Sequence, residues 1–411
     1  AVFSLVACQA EPPPRDTSPG SQGNSPATAV TAQANQALAD SLDINNQRDF
    51  EDAMRGLIAS KDRLVITMTD GRVIWDMPSY AFIQGEAPPS VNPSLWRQAK
   101  LNNIHGLFEV TEGVYQLRGF DLSNMSIIAG QRGWIVVDPL TTRETAAAAI
   151  AFAQEQLGER PISAVIFTHS HVDHFGGALS VLEADGSTEV IAPVGFMAEA
   201  TSENVVAGNT MSRRAMYMYG SQLERSPKGH VGSGLGKSPA FGSPGIARPT
   251  RIISNTGEQL SIDGVEFVFQ NAAGSEAPAE LTFYLPDTKA FCGAEVISRT
   301  LPNLYTLRGA KVRDARKWSG YIDEAIKLFP DAEVYFASHH WPLWGNTDII
   351  DFLKKQRDGY RYIHDQTLRL ASQGLTPREI AEEIELPESL RQSFPNRGYY
   401  GTLKHNAKAV Y

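Results

Sequence analysis

The stretch that most limits how this chain can fold runs from Trp134 to Val194, where WIVVDP, an alanine-rich segment over 143–157, ISAVIFTH and TEVIAPV follow one another. Short, continuous apolar runs predict buried strands, and the segment between the first two predicts a helix. The signal extends both ways. Upstream, VYQLRG and MSIIAG are short apolar strands, residues 45–60 carry helical spacing, and RLVITMTDGRVIWD alternates around the hairpin signal Asp70-Gly71. Downstream, RIIS, VEFVFQN, LTFYLP, KAFCGAEV and EVYFASHH form a second set of strands reaching residue 340. Two β-rich halves flanked by helices predict a layered α/β sandwich. From Asp348 to about Arg391 the pattern turns helical and acidic, which predicts an appended helical unit. At 411 residues the chain exceeds what a single core of roughly 250–300 residues fills, so a large domain and a smaller one are expected.

Composition matters chiefly for what it excludes. No apolar run reaches the roughly 18 residues that a membrane-spanning helix needs. A net charge of −9 disfavours nonspecific contact with nucleic acid, so an anionic ligand would require a local cationic pocket. The helix-turn-helix-like cadence of LTPREIAEEIELPESLRQ carries Glu379, Glu382, Glu383, Glu385 and Glu388 against Arg378 and Arg391, the wrong sign for a recognition helix. Cys292, in KAFCGAEV, predicts a small buried thiol. Cys8 closes Leu5-Val6-Ala7-Cys8, which resembles a bacterial lipobox, and implies a lipid anchor at Cys8 and a place on the bacterial envelope, facing the periplasm. The Pro/Ser/Gln/Thr/Ala-rich stretch from Gln9 to about Ala37 is expected to be an unordered tether.

Chemistry concentrates at THSHVDHFGG. Three of the chain's nine histidines and one aspartate fall at His169, His171, Asp173 and His174, directly after the apolar strand AVIFT. Imidazole nitrogen and carboxylate oxygen are the preferred ligands of zinc-like ions, so the cluster predicts half of a two-metal site. Further candidates come from elsewhere in the chain. Glu276 lies in a polar loop with Glu280 as its competitor, and Glu295 ends an apolar strand where a neighbouring cation, or a salt bridge to Arg299 or Arg308, would offset burial. His339 and His340 are adjacent, and strand alternation turns only one of them inward, without saying which. Asn303, Arg308 and Arg313 follow soon after Glu295, arginine's planar fork suiting a tetrahedral oxyanion, with solvated arginines on a loop as the alternative. Residues 225–251, with Arg225, Lys228, Lys237, Arg248 and Arg251 and no acid, are either a flexible insertion or a lid over an anionic substrate. Tyr217, Met218 and Tyr219 read as core or as the wall of an alkyl channel, and His405 as a surface or domain-contact residue.

The motif HSHVDHFGG resembles the metallo-β-lactamase superfamily, and FDLSNMSII, AGNTMSRRAMYMYG, GSGLGK, GSEAPAELTFYLP, CGAEV, NLYTLRGAKVRDARKW, FASHHWPLWGN and RGYYGTLKHNAKAVY resemble its alkylsulfatase branch, which includes the SDS hydrolases. The resemblance covers about residue 60 to the end. It implies an αββα sandwich followed by an α-helical dimerisation domain. The expected boundaries are 1–40 for leader and tether, 41–345 for the catalytic domain and 346–411 for the dimerisation domain; the family's C-terminal lipid-carrier-like domain is not expected within this sequence. It further implies two Zn2+ per chain, with His169, His171 and Glu276 on one ion, Asp173, His174 and His340 on the other, and Glu295 bridging; the family spacing is what selects His340. Asp173 and Glu295 are the expected catalytic residues, and Asn303, Leu304, Tyr305, Thr306, Leu307, Arg308 and Arg313 the expected sulfate-binding ones. The implied reaction is hydrolysis of an alkyl sulfate to alcohol and inorganic sulfate by a homodimer. Another hydrolase of the same fold, a lactonase, β-lactamase or phosphodiesterase, is the alternative.

Overall fold

The computed structural model describes residues 24–411. Cys8 and the first part of the expected tether lie outside the described residues. In chain order the strands are β1 (Leu57–Ala59), β2 (Val65–Thr67), β3 (Val73–Asp76), β4 (Gly106–Thr111), β5 (Val114–Arg118), β6 (Met125–Ala129), β7 (Trp134–Val137), β8 (Ile162–Ile166), β9 (Glu189–Pro193), β10 (Arg251–Ile253), β11 (Gln259–Ile262), β12 (Val265–Asn271), β13 (Leu281–Leu285), β14 (Ala290–Cys292), β15 (Val334–Phe336) and β16 (Leu343–Trp344). One sheet has the order β1-β4-β5-β6-β7-β8-β9-β10 and the other β11-β12-β13-β14-β15-β16, with β2-β3 as a separate hairpin.

The first sheet changes from antiparallel to parallel at β7-β8, where the helix Arg143–Leu157 makes the crossover. Side-chain alternation along these strands then builds the layers. Ile135, Val137, Ala164 and Ile166 face Phe269, Phe283 and Phe336 of the second sheet in a shared core, while Val136 and Val165 face the other way, towards Ala149 and Phe152 of the crossover helix. The outer face of the second sheet is covered by the helices Ala315–Leu328 and Asn346–Ser372, whose Trp318, Ile322, Ile349, Phe352 and Tyr360 join Phe291 and Tyr335 in one cluster. Helices outside and two sheets inside give the expected αββα sandwich, followed by the short helices Pro377–Glu383, Glu388–Arg391 and Leu403–Val410. Cys292 is buried between the sheets, and that burial raises its thiol pKa.

Two elements differ from the sequence reading. Ala29–Asp40, within or just past the expected tether, is a helix with Thr28 capping the Thr31 amide, and Asn35 donates to the Pro89 carbonyl. Alanine-rich sequence needs no buried face to be helical, since alanine has the highest helix propensity. The helical stretch expected over 45–60 stops at Met54; after Gly56, in a left-handed conformation, the chain becomes β1 and pairs with β4.

Candidate metal centre

The site lies where strands of both sheets end. Beyond β8, the Thr168 amide and hydroxyl donate to Asp138 at 2.8 and 2.7 Å, tying this strand end to that of β7. The chain then enters a short 3₁₀ turn over Val172–His174. Gly177, past the turn, approaches its neighbours closely: a Cβ there would lie 2.1 Å from the Pro139 carbonyl oxygen and 2.5 Å from the Ala146 Cβ. The paired glycines are thus what lets the histidine-bearing turn pack beneath the crossover helix.

Two groups of ligand-type atoms meet there: His169, His171, Glu276 and Glu295, and Asp173, His174, Glu295 and His339. Glu295 belongs to both, with one carboxylate oxygen 3.2 Å from His169 Nε2, 3.3 Å from His174 Nε2 and 3.3 Å from His339 Nε2. His171 Nδ1 is 2.8 Å from Glu276 and His174 Nε2 is 3.1 Å from Asp173. A fourth carboxylate, Asp138, lies 2.9 Å from His174 Nδ1 and accepts from Thr168 and Ser338, which fixes the imidazole's orientation.

Burial opposes charge in this cluster, yet the charges hold one another. Glu295 is kept well below the usual carboxylate range because His339, His169 and His174 outweigh its desolvation. His174 is held well above its ordinary value, against burial, by Asp173 and Asp138. His169 Nε2, His171 Nε2 and Glu276 Oε2 are buried without a hydrogen-bond partner. Buried polar atoms left unpaired in this way, among four imidazoles and three carboxylates, fit bound metal cations, with Glu295 common to both groups.

The structure replaces His340 by His339. Strand β15 ends at Phe336, so alternation no longer governs the following residues, and His340 adopts a left-handed φ of 65°. Its side chain points elsewhere: Nε2 lies 3.0 Å from the Gly234 carbonyl oxygen, Nδ1 accepts from the Arg299 amide, and burial depresses its pKa to about 3. Glu276 enters the cluster and Glu280 does not, because Glu280 Oε2 accepts from the Ser275 hydroxyl and the amides of Glu276 and Ala277. The alternative salt bridges of Glu295 are absent among the described residues: Arg299 pairs with Asp49 and Arg308 with Glu203. Glu295 itself lies three residues past β14, after Ala294 in a left-handed conformation.

Of the residues expected on sulfate, two arginines reach the site. Arg308 lines the main cavity and is 2.7 Å from Glu203; Arg313 is paired with Glu276 and donates to the Asn303 carbonyl at 2.6 Å. Asn303 thereby positions Arg313 through its backbone. Leu304 and Thr306 are buried away from the cavity, and Tyr305 and Leu307 are exposed, because alternate residues of this loop face opposite ways. His405, as expected of a contact residue, touches this loop at the Tyr305 carbonyl.

The cavity has a volume of about 490 Å³ and is mostly apolar. Asp173, Glu276, Glu295 and Arg308 lie on its wall, as do Val172, Phe175, Val205, Met211, Leu235, Phe241 and Ile246. The 225–251 segment forms one side, with Leu235 and Ala240 buried, so it is not a loose insertion. Tyr219 lines the cavity beside Tyr400, their hydroxyls 3.1 Å apart, whereas Tyr217 is exposed. Sequence reasoning missed Asp138, Glu203, Tyr400 and the choice of His339. Asp138 follows the apolar run WIVV as His169 follows AVIFT, a signal that could have found it; Glu203, on a π-helical turn over Ser202–Val206, left none.

Comparison with known proteins agrees with this geometry. Residues 118–339 match the model of the metallo-beta-lactamase superfamily and residues 376–411 that of alkyl sulfatase dimerisation. The chain is 49% identical to a linear primary-alkylsulfatase from Pseudomonas sp over 94% of its own length and 58% of that protein's. It is likewise 49% identical to an alkyl/aryl-sulfatase from Saccharomyces cerevisiae, over 93% of its length and 60% of that protein's. It superposes on the stereoselective inverting sec-alkylsulfatase Pisa1 from Pseudomonas sp. with a TM-score of 0.92 at 42% identity, covering 94% of this chain and 62% of that one. The chain thus spans about three fifths of the curated relatives it matches.

Proposed function

Because the chain belongs to the metallo-beta-lactamase superfamily, we propose that it is a member of the alkylsulfatase branch and hydrolyses alkyl sulfate esters to an alcohol and inorganic sulfate with two zinc ions per chain. The observation that carries this reading is one cavity in which a His/carboxylate cluster, a partly buried arginine and an apolar wall converge. Each part has a task. The apolar wall removes the alkyl chain from water, at roughly 0.8 kcal/mol per buried methylene. Arg308 supplies a fixed positive charge to the sulfate, which would draw it away from Glu203. Arg313 holds Glu276, and Asp138 holds His174, so two ligands are oriented before substrate arrives. His169, His171 and Glu276 would hold one cation, Asp173, His174 and His339 the other, with Glu295 shared. When bound, such a pair lowers the pKa of a water and offsets charge on the ester oxygens.

A homodimer formed through the C-terminal helices is part of the proposal, supported by the match over 376–411. The lipobox-like stretch ending at Cys8 supports an envelope location. The test of activity is competitive in design. Purified protein is assayed against dodecyl sulfate, nitrocefin and bis-nitrophenyl phosphate, and release of sulfate from dodecyl sulfate should exceed turnover of the other two by orders of magnitude. Faster opening of nitrocefin or cleavage of the phosphodiester would move the chain to another hydrolase of this fold.

A further inference from the structure

Four carboxylates lie on the wall of the main cavity: Asp173, Glu203, Glu276 and Glu295. Three of them belong to the two groups of ligand-type atoms, and Glu203 does not. It is carried to the wall by the π-helical turn Ser202–Val206, which joins the helices Phe196–Thr201 and Gly208–Met218. The side chain is buried, with Oε2 accepting from Arg308 Nη1 at 2.7 Å and Oε1 without a hydrogen-bond partner. His171 Nε2 is 3.8 Å from Oε2, beyond hydrogen-bond reach. The one close partner of Glu203 is therefore the arginine assigned to the ester, and a guanidinium at that distance favours the ionised carboxylate. Among the described residues Arg308 is also the one lysine or arginine on this wall. Outside the metal-type groups, then, the wall carries one fixed positive charge and one fixed negative charge, and they cancel.

We propose that Glu203 is a specificity-determining residue that admits a singly charged ester, such as a sulfate monoester, and disfavours a doubly charged one, such as a phosphate monoester. The inference rests on the alkylsulfatase reading and goes past it, to how the site separates two tetrahedral esters of similar size. The apolar wall cannot separate them, because both present the same alkyl chain. Bound metal cations attract both, and the more highly charged one more strongly, so they favour the wrong ester. A fixed negative charge beside the ester supplies the missing discrimination. An ester that takes Arg308 leaves the Glu203 carboxylate next to it with its charge no longer offset. Repulsion between that carboxylate and the ester scales with the ester's charge, so a second charge doubles it. Burial of the carboxylate in a mostly apolar wall limits the screening that water and salt would otherwise provide.

Octanesulfonate and octylphosphonate carry the same chain, and neither has an ester bond to cleave. Calorimetric titration of each into the zinc-loaded full chain, below micelle formation and at a pH where the phosphonate is doubly charged, gives the ratio of their Kd values. The parent should favour the sulfonate. In Glu203→Gln that preference should fall by about tenfold or more, while Glu203→Asp, which keeps the charge, should retain most of it. Bound zinc is measured in all three proteins, and its loss from Glu203→Gln would overturn the inference by assigning the residue to His171 instead. An unchanged ratio in Glu203→Gln, or a parent that binds the doubly charged phosphonate as tightly as the sulfonate, also overturns it and leaves alkyl sulfate hydrolysis untouched. If neither octyl anion binds the parent, the alkylsulfatase reading falls and the inference with it. Should Glu203→Gln fail to fold, the parent decides at a pH where the phosphonate is singly charged: its preference for the sulfonate should vanish there, and persistence of that preference overturns the inference.

Discussion

At the scale of single residues, the choice between two adjacent histidines separates the structure from the sequence pattern most sharply. His339 faces Glu295 and His340 faces the Gly234 carbonyl. His339→Ala should therefore lose one bound metal and most activity, whereas His340→Ala should keep its metal and lose stability, as metal analysis and thermal unfolding of the pair will show. Asp138→Asn leaves all seven expected ligands in place but loosens His174, and a 10–100-fold loss of metal affinity is the expected size. His169, His171, Asp173 and His174 were legible because four ligand types crowd one strand end. His339 was not, because period-two reasoning fails once the strand stops at Phe336. A pH effect belongs at this scale as well. His230 is pushed down to about 4, chiefly by burial and next by Arg225, with Nδ1 3.0 Å from the Tyr80 hydroxyl. Between its unfolded value near 6.5 and about 4 the unfolded chain binds a proton that the native state refuses, so stability falls as pH falls through that window. His230→Gln should flatten the slope of unfolding free energy there by up to ~1.4 kcal/mol per pH unit.

At the scale of elements, the αββα layers could be read from apolar runs and the alanine-rich crossover, but their partners could not. The helix Ala315–Leu328 shows an apolar stripe in isolation; only the structure places Trp318 on it, stacked on Tyr360 of Asn346–Ser372 with ring centroids 4.4 Å apart. That stack joins the C-terminal helical part to the second sheet in one core. Trp318→Ala is expected to cost about 3–5 kcal/mol of unfolding free energy by denaturant titration, in a single transition rather than two. Residues 225–251 were undecidable by composition, since glycine, proline and serine suit a flexible insertion and a lid over the site equally. Burial of Lys237, Leu235 and Ala240 makes them a wall.

At the scale of the whole molecule, a chain of net charge −9 that takes an anionic ester must concentrate positive charge locally. Arg308, Arg313 and the cations of the cluster do so in the proposed enzyme, at the end of an apolar cavity. The account stands on two metal ions shared by residues from both sheets. Stepwise addition of zinc to metal-free protein, with bound metal and sulfate release from dodecyl sulfate followed together, tests that most directly. Activity should climb to its plateau as the second equivalent per chain binds; full activity with one equivalent or none would contradict it.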